Sequence, residues 1–287
     1  MPNESQWGSY VALGDSFTEG LWDVIDDDAR PNPDLSAWAT TNPHAPETRW
    51  LHLRGWADLL AGHLASRRPE GEAFTYANLG IRGRLLPAVV TEQVPVALEM
   101  KPDLVSLIAG GNDILRPNVD VDAIAATLEA AVVTLREAGI DVLMSTGIDA
   151  KGSALISSTR SKVGIFNSHI WSIARRHDAY VMDVWGMRAL KDWRMWSEDR
   201  IHLVAGGHER VAQAGLIGLG LEPDDAAWDD PLTPLPAKPR LEQLAADAKW
   251  AREHAYPWAT RRLRGHSSGD LRVPKLPDFV TVRRDEV

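Results

Sequence analysis

The chain has no cysteine among its 287 residues. That excludes disulfides, thiolate metal ligands and a cysteine nucleophile, and it fits a cytoplasmic protein. Long apolar runs are missing too. None approaches the roughly 18 to 20 residues of a membrane-crossing helix, so no transmembrane segment is expected. The N-terminus, from Met1 to Trp7, lacks a basic segment followed by an apolar one and does not read as a secretory signal. A basic excess is also absent: 31 Lys and Arg stand against 40 Asp and Glu, a formal net charge of -9, which argues against general nucleic-acid binding. The nine histidines include no tight pair of the His-x-x-x-His kind, and the run Asp26-Asp27-Asp28 reads as a solvated charge cluster, so no metal site is expected. No P-loop is present, and Gly206-Gly207 lacks the surroundings of a dinucleotide fingerprint, so no cofactor is expected.

What the chain does contain is an alternation. Short, largely unalternating apolar runs at Tyr10–Leu13, Phe74–Ala77, Leu104–Ile108, Val142–Ser145 and Ala179–Val184 are separated by helix-length segments. This is the pattern of a parallel sheet covered on both faces. The clearest helix is Val121–Ala138, with apolar residues at spacings of three and four, Asp120 or Asp122 to cap its start and Gly139 to end it. Ser158–Arg176, Leu203–Leu216 and Arg240–Tyr256 are further helical stretches, with His208 expected on a helix surface. Residues 22–54 break the alternation and are expected to form a lid-like insertion or a disordered loop. Residues 222–287 open Pro-rich and end basic: from Lys249 onward nine Lys or Arg face five Asp or Glu, which suits an arm packed on the acidic body, with a partner or lipid-surface contact as the alternative. Twelve tryptophans are many for this length; those at Trp38–Trp56 and Trp193–Trp196 are expected to line a pocket, and others to hold the C-terminal tail down.

In an open parallel sheet, ligands bind at the carboxyl ends of the strands. Four polar clusters fall there: Gly14-Asp15-Ser16, Asn78-Leu79-Gly80-Ile81-Arg82-Gly83, Gly110-Gly111-Asn112-Asp113, and Ser197 through Asp199 to His202. Taken singly, each has a plain structural reading. Ser16 and Glu19 have the spacing of a capping box; Asp199 and His202 suit a helix start; Asn112 suits a turn; the glycines suit loop conformations. Their convergence on one edge of one sheet favours a site. A serine hydroxyl needs a base to take its proton, an imidazole supplies one near neutrality, and a carboxylate three residues earlier can fix the tautomer.

In these four clusters, in this order, the chain resembles the SGNH (GDSL) hydrolases over about residues 8 to 220. The resemblance implies a flavodoxin-like three-layer α/β/α sandwich with a roughly five-stranded parallel sheet, spanning 1–221. It implies Ser16, His202 and Asp199 as the catalytic triad, and an oxyanion hole from the backbone N–H groups of Ser16 and Gly83 with the side-chain amide of Asn112. Gly80 is a rival for the glycine. Asp15 and Asp113 take supporting places. The implied reaction is hydrolysis of a carboxylic ester by an esterase or lipase, without a cofactor, on a small-molecule substrate: an acyl ester, a lysophospholipid or an acetylated sugar. An acyltransferase would use the same acyl-enzyme with a different acceptor. A non-catalytic binding module is the remaining alternative, against which the intact set of residues argues. Oligomeric state is not legible.

Overall fold

The computed structural model describes residues 4–43, 45–149, 157–236, 239–255, 269 and 272–283. The strands are β1 Ser9–Gly14, β2 Phe74–Asn78, β3 Leu104–Ile108, β4 Asp141–Ser145, β5 Tyr180–Met182 and β6 Leu276–Val282. The helices are α1 Ser16–Glu19, α2 Pro33–Thr41, α3 Trp56–Ser66, α4 Leu86–Ala88, α5 Val94–Met100, α6 Gly111–Ile114, α7 Val121–Glu137, α8 Arg160–His177, α9 Ala205–Gly218 and α10 Arg240–Trp250. They form one sheet in the order β5-β4-β3-β1-β2-β6.

The first five strands are parallel, as expected. Strand periodicity divides their side chains between two layers. Val11 and Leu13 point to the layer holding Leu128, Val132 and Leu135 of α7 and Ile170 and Ile173 of α8. Tyr10 and Ala12 point to the opposite layer, with Leu60 and Leu64 of α3 and Val211 and Leu216 of α9. Each buried aliphatic side chain contributes about 1.5–3 kcal/mol. Strands buried on both sides therefore need no polar alternation, which is why they read as plain apolar runs. Helix α7 starts where Asp120 accepts from the N–H groups of Asp122 and Ala123, and ends before Gly139 at φ 80°.

The sheet departs from the five strands expected. A sixth, β6, pairs antiparallel with β2 at the edge and comes from the basic C-terminal segment. It was not legible because Leu276-Pro277-Asp278 does not read as a strand. The pairing is irregular where Tyr76 faces Val280 but Asn78 faces Leu276, so Pro277 falls in the irregular part of an edge strand, where a missing N–H is tolerated. Just before β6, Lys275 donates to Glu19 O (2.8 Å), Leu53 O (2.9 Å) and Asp58 Oδ2 (2.6 Å), tying the C-terminal segment to α1, the 22–54 insertion and α3.

The insertion has its own small core. Leu21, Trp22, Val24 and Ala39 are buried together, and Val24 bridges to Leu53. His208, expected on the surface of its helix, is instead fully buried. It shares the inner face of α9 with Val211 and Ala212; its Nδ1 accepts from Trp56 N–H at 3.1 Å and its Nε2 lies 3.2 Å from Leu21 O. Burial depresses its pKa to about 3, so the ring is neutral and serves as a polar spacer inside the core. Among the described residues no helix is long and apolar enough to cross a membrane.

The Lys275 contacts carry a prediction. Replacing Lys275 by Met leaves two carbonyls and a largely buried carboxylate without their shared donor, and is expected to lower unfolding free energy by about 1–3 kcal/mol. Chemical denaturation measures this; stability equal to wild type would contradict it.

Candidate active site

The segments that follow β1, β2 and β3 and the 197–202 loop beyond β5 converge on one place. After β1 the chain turns sharply at Gly14, whose N–H donates to Gln93 Oε1 (2.8 Å) while its carbonyl accepts from Gln93 Nε2 (3.0 Å). Gln93 is buried at the end of a π-helical turn, Val89–Gln93, and holds the β1 terminus as a neighbouring strand would. Asp15, not Ser16, caps the following helix: its Oδ1 accepts from Phe17 N–H at 3.1 Å. The capping box suggested by the Ser16–Glu19 spacing does not form. Glu19 turns away to accept from Arg82 N–H (2.7 Å) and Arg82 Nε (2.9 Å). Helix α1 is a single turn, stopped by Gly20 at φ 96°, so little macrodipole acts on Ser16.

Ser16 opens the first turn, 186 residues from its hydrogen-bond partner His202, and its Oγ lies 2.9 Å from His202 Nε2. On the other side of the ring, Nδ1 is 2.7 Å from Asp199 Oδ2. The carboxylate fixes the tautomer: Nδ1 donates to Asp199, leaving Nε2 to accept from the serine hydroxyl. Residues 197–202 form a tight loop closed by Ser197 N–H to His202 O (2.8 Å) and by the Trp196–Leu203 bridge. Inside it Asp199 Oδ1 accepts from Ser197 Oγ (2.6 Å) and from the N–H groups of Ile201 (2.9 Å) and His202 (3.0 Å). Burial pushes the Asp199 carboxyl up, but the facing imidazole and the bonds from His202 and Ser197 outweigh it and hold the group well below the usual carboxylate range. Its stabilising contribution is therefore present above about pH 4 and lost as pH falls.

Of the other expected residues, Asp15 and Asn112 line the same cavity as Ser16 and His202, while Gly83 and Asp113 do not. Asn112, in α6, donates from its side-chain amide to Asp15 Oδ2 (2.9 Å) and Arg84 O (3.1 Å). Asp113 Oδ2 accepts from Leu86 N–H at 2.9 Å, joining the third polar cluster to the helix after the second. Gly83 sits at φ 75° in the turn closed by Arg84 N–H to Ile81 O, a conformation that suits glycine. Its rival Gly80 has its N–H taken by Asn78 Oδ1 at 3.0 Å, and a Cβ there would come within 2.9 Å of Glu19 N, so its lack of a side chain serves close packing.

Some residues of the site carried no signal in the sequence. Trp22 donates from its backbone to Leu203 O (2.9 Å) and from Nε1 to Asp199 Oδ2 (3.2 Å), gripping both sides of the 197–202 loop. The guanidinium of Arg82, itself fully buried, lies 5.0 Å from the Trp22 ring and pairs with Glu19. Glu19, Arg82 and Trp22 thus link the Ser16 turn, the glycine loop and the 197–202 loop. Only the contacts reveal this, because Arg82 lies 63 residues from Glu19 and Asp199 177 residues from Trp22.

Ser16 opens into a cavity of about 760 Å³. Ile114, Leu115, Ile148, Val163 and Phe166 make much of its wall apolar, and Trp193 and Trp196 also line it. Trp38, Trp50 and Trp56 do not reach it: Trp50 is 82% exposed and Trp56 is buried at the start of α3. None of the described residues of 22–54 lines the cavity. Among the described residues no group of three or more His, Asp or Glu is placed to hold a metal ion.

The three-layer fold, with this serine at the end of β1 and a histidine loop before the last helix of the layer, is that of the SGNH hydrolases. The model of the GDSL-like Lipase/Acylhydrolase family matches residues 12–210, and the chain belongs to that family. Among solved structures it is similar to Axe2, an acetylxylan esterase from Geobacillus stearothermophilus, at 19% identity over 77% of this chain and 98% of that one, with a TM-score of 0.57. LAE5, an alpha/beta hydrolase enzyme from the metagenome of Lake Arreo, Spain, is similar at 23% identity over 77% and 98%, TM-score 0.56. TesA is similar at 19% over 74% and 97%, TM-score 0.51. A search of curated proteins finds no match.

Asp15 yields a pH prediction. Burial pushes its carboxyl up to about 6, against the bond from Phe17 N–H and the nearby His202; Asp113 adds to the rise. The folded state then holds the proton more tightly than the unfolded state. The stability this group contributes is full below about pH 4 and lost as pH rises to about 6. Asp15→Asn is expected to gain on wild type by roughly 3 kcal/mol across that interval and no further above it. Denaturation curves at pH 4, 5, 6 and 7 measure the difference; a pH-independent gap would contradict the assignment.

Proposed function

We propose that the protein hydrolyses carboxylic esters through an acyl-enzyme on Ser16. The observation that carries this reading is the continuous chain Ser16 Oγ–His202 Nε2 (2.9 Å) and His202 Nδ1–Asp199 Oδ2 (2.7 Å) at the floor of an apolar cavity. Family membership agrees with it.

Ser16 Oγ attacks the acyl carbonyl while its proton passes to His202 Nε2. The imidazolium is stabilised by Asp199, which stays ionised. The oxyanion is received by the N–H groups of Ser16 and Gly83, which have no acceptor among the described residues, and by the Asn112 amide. For Asn112 to serve, the developing oxyanion must compete with Asp15 Oδ2 for one amide hydrogen. His202 then gives its proton to the departing alkoxide, which leaves as the alcohol. A water, deprotonated by the same nitrogen, attacks the acyl-enzyme and releases the acid with Ser16 restored.

The cavity bears on the substrate. At about 760 Å³ with a largely aliphatic and aromatic wall, it is far larger than an acetyl group needs. This favours an ester carrying a sizeable apolar group, and among the substrate classes named above it favours acyl esters over acetylated sugars. In a series of p-nitrophenyl esters, kcat/KM is expected to rise from acetate to medium chains by about tenfold or more, since each buried methylene contributes about 0.8 kcal/mol. An optimum at acetate would overturn the chain preference without touching the mechanism.

The mechanism has its own tests. Ser16→Ala is expected to lose about 10⁴-fold or more in kcat while keeping its fold, and to escape labelling by a fluorophosphonate. Asp199→Asn should lose about 10⁴-fold through the wrong imidazole tautomer. Asn112→Ala should lose about 10²–10³-fold in kcat with little change in KM. Turnover of Ser16→Ala near the wild-type rate would end this reading.

A further inference from the structure

The family match ends at residue 210, yet the acid–base loop is held from beyond it. Helix α10 ends at Trp250, which is 9% exposed, and the indole Nε1 donates to the backbone carbonyl of Asp199 at 3.2 Å. One residue on, Arg200 stands at φ 57°, a left-handed conformation that costs a non-glycine residue about 1–2 kcal/mol. Its guanidinium lies 5.1 Å from the Trp250 ring and 5.5 Å from the Trp193 ring, and pairs with Asp247 of α10 at 2.7 Å. Arg200 and Trp193 also line the cavity.

Asp199 is thereby held at all three of its oxygens. Oδ1 is held from within the loop, Oδ2 receives Trp22 as well as His202, and the backbone oxygen receives Trp250. The first two sets fix the carboxylate relative to its own loop and to the insertion. The third ties the peptide that carries it to α10, 51 residues along the chain, in addition to the loop's own bond from Arg200 N–H to Ser197 O (2.9 Å). A serine mechanism needs the Asp–His pair aligned within a fraction of an ångström, because a base displaced by about 1 Å costs some 10²-fold.

We propose that Trp250 is a positioning residue: with Asp247 it clamps the Asp199–Arg200 turn and so aligns His202 with Ser16, making the C-terminal segment a working part of the site. The proposal rests on the ester-hydrolase reading for its kinetic consequence but not for its structural one, and two independent readouts separate them.

The test uses the full chain with Trp250→Phe, which keeps a ring over Arg200 and removes the N–H. On a p-nitrophenyl ester, kcat is expected to fall about three- to tenfold, as loss of one hydrogen bond implies. KM should stay within about twofold, and the melting temperature within about 4 °C. Asp247→Asn, an exposed change, should lower kcat in the same direction by less. Without substrate, the downfield proton resonance of His202 Nδ1–H should shift or broaden in Trp250→Phe, which a residue supporting only global stability would not cause. An unchanged kcat together with an unchanged resonance overturns the proposal, as does a fall in melting temperature with both readouts at wild-type values. Wild type and Ser16→Ala run alongside: equal turnover by those two would refute the hydrolase reading, while the resonance would still decide whether Trp250 aligns the pair.

Discussion

The Asp199 carboxylate is the interaction on which the site depends. A buried anion is costly unless each lone pair is engaged. Here Oδ1 takes a hydroxyl and two backbone N–H groups, and Oδ2 takes an imidazole and an indole. Those bonds keep the charge in place against burial. The charge in turn dictates which ring nitrogen of His202 carries the proton, leaving the other to face Ser16. Removing the carboxylate would orphan five donors at once, so the loop's shape and its chemistry have a single cause.

Around this point the structure is cross-linked rather than layered. The Ser16 turn holds the glycine loop through Glu19 and Arg82. Arg82 lies against Trp22, and Trp22 holds the 197–202 loop. Asn112 reaches Asp15, and Asp113 reaches the helix after the glycine loop. The sheet brings four chain segments to one edge, but a sheet edge alone places side chains only coarsely. The polar ties between segments supply the remaining alignment, which is why several charged residues in this region are buried in pairs.

The segments outside the parallel sheet belong to the same scheme. The 22–54 insertion begins with the tryptophan that grips the loop, and lies away from the cavity wall. The C-terminal segment adds an edge strand, ties down α1 through Lys275, and sets an indole against the Asp199 peptide. Among their described residues neither lines the cavity, whose wall includes the segments after β3 and β4, α8 and the Trp193–Trp196 turn.

Local pattern alone determined much of this protein. Five apolar runs gave five parallel strands because strands buried on both faces need only bulk, and bulk is visible residue by residue. The serine, glycine, asparagine and Asp-x-x-His clusters were legible because each must follow a strand or precede a helix. Tertiary structure alone decided the partners. Glu19 reads as half of a capping box, but its carboxylate goes to Arg82, because a buried guanidinium competes better than a backbone N–H that water can reach. His208 reads as a surface polar residue, but α9 packs that face against α3, where the Trp56 N–H and the Leu21 carbonyl receive the ring. Leu276–Val282 reads as a tail, but the open edge of β2 makes it a strand. In each case the deciding group lies on a distant segment, and no local spacing records it.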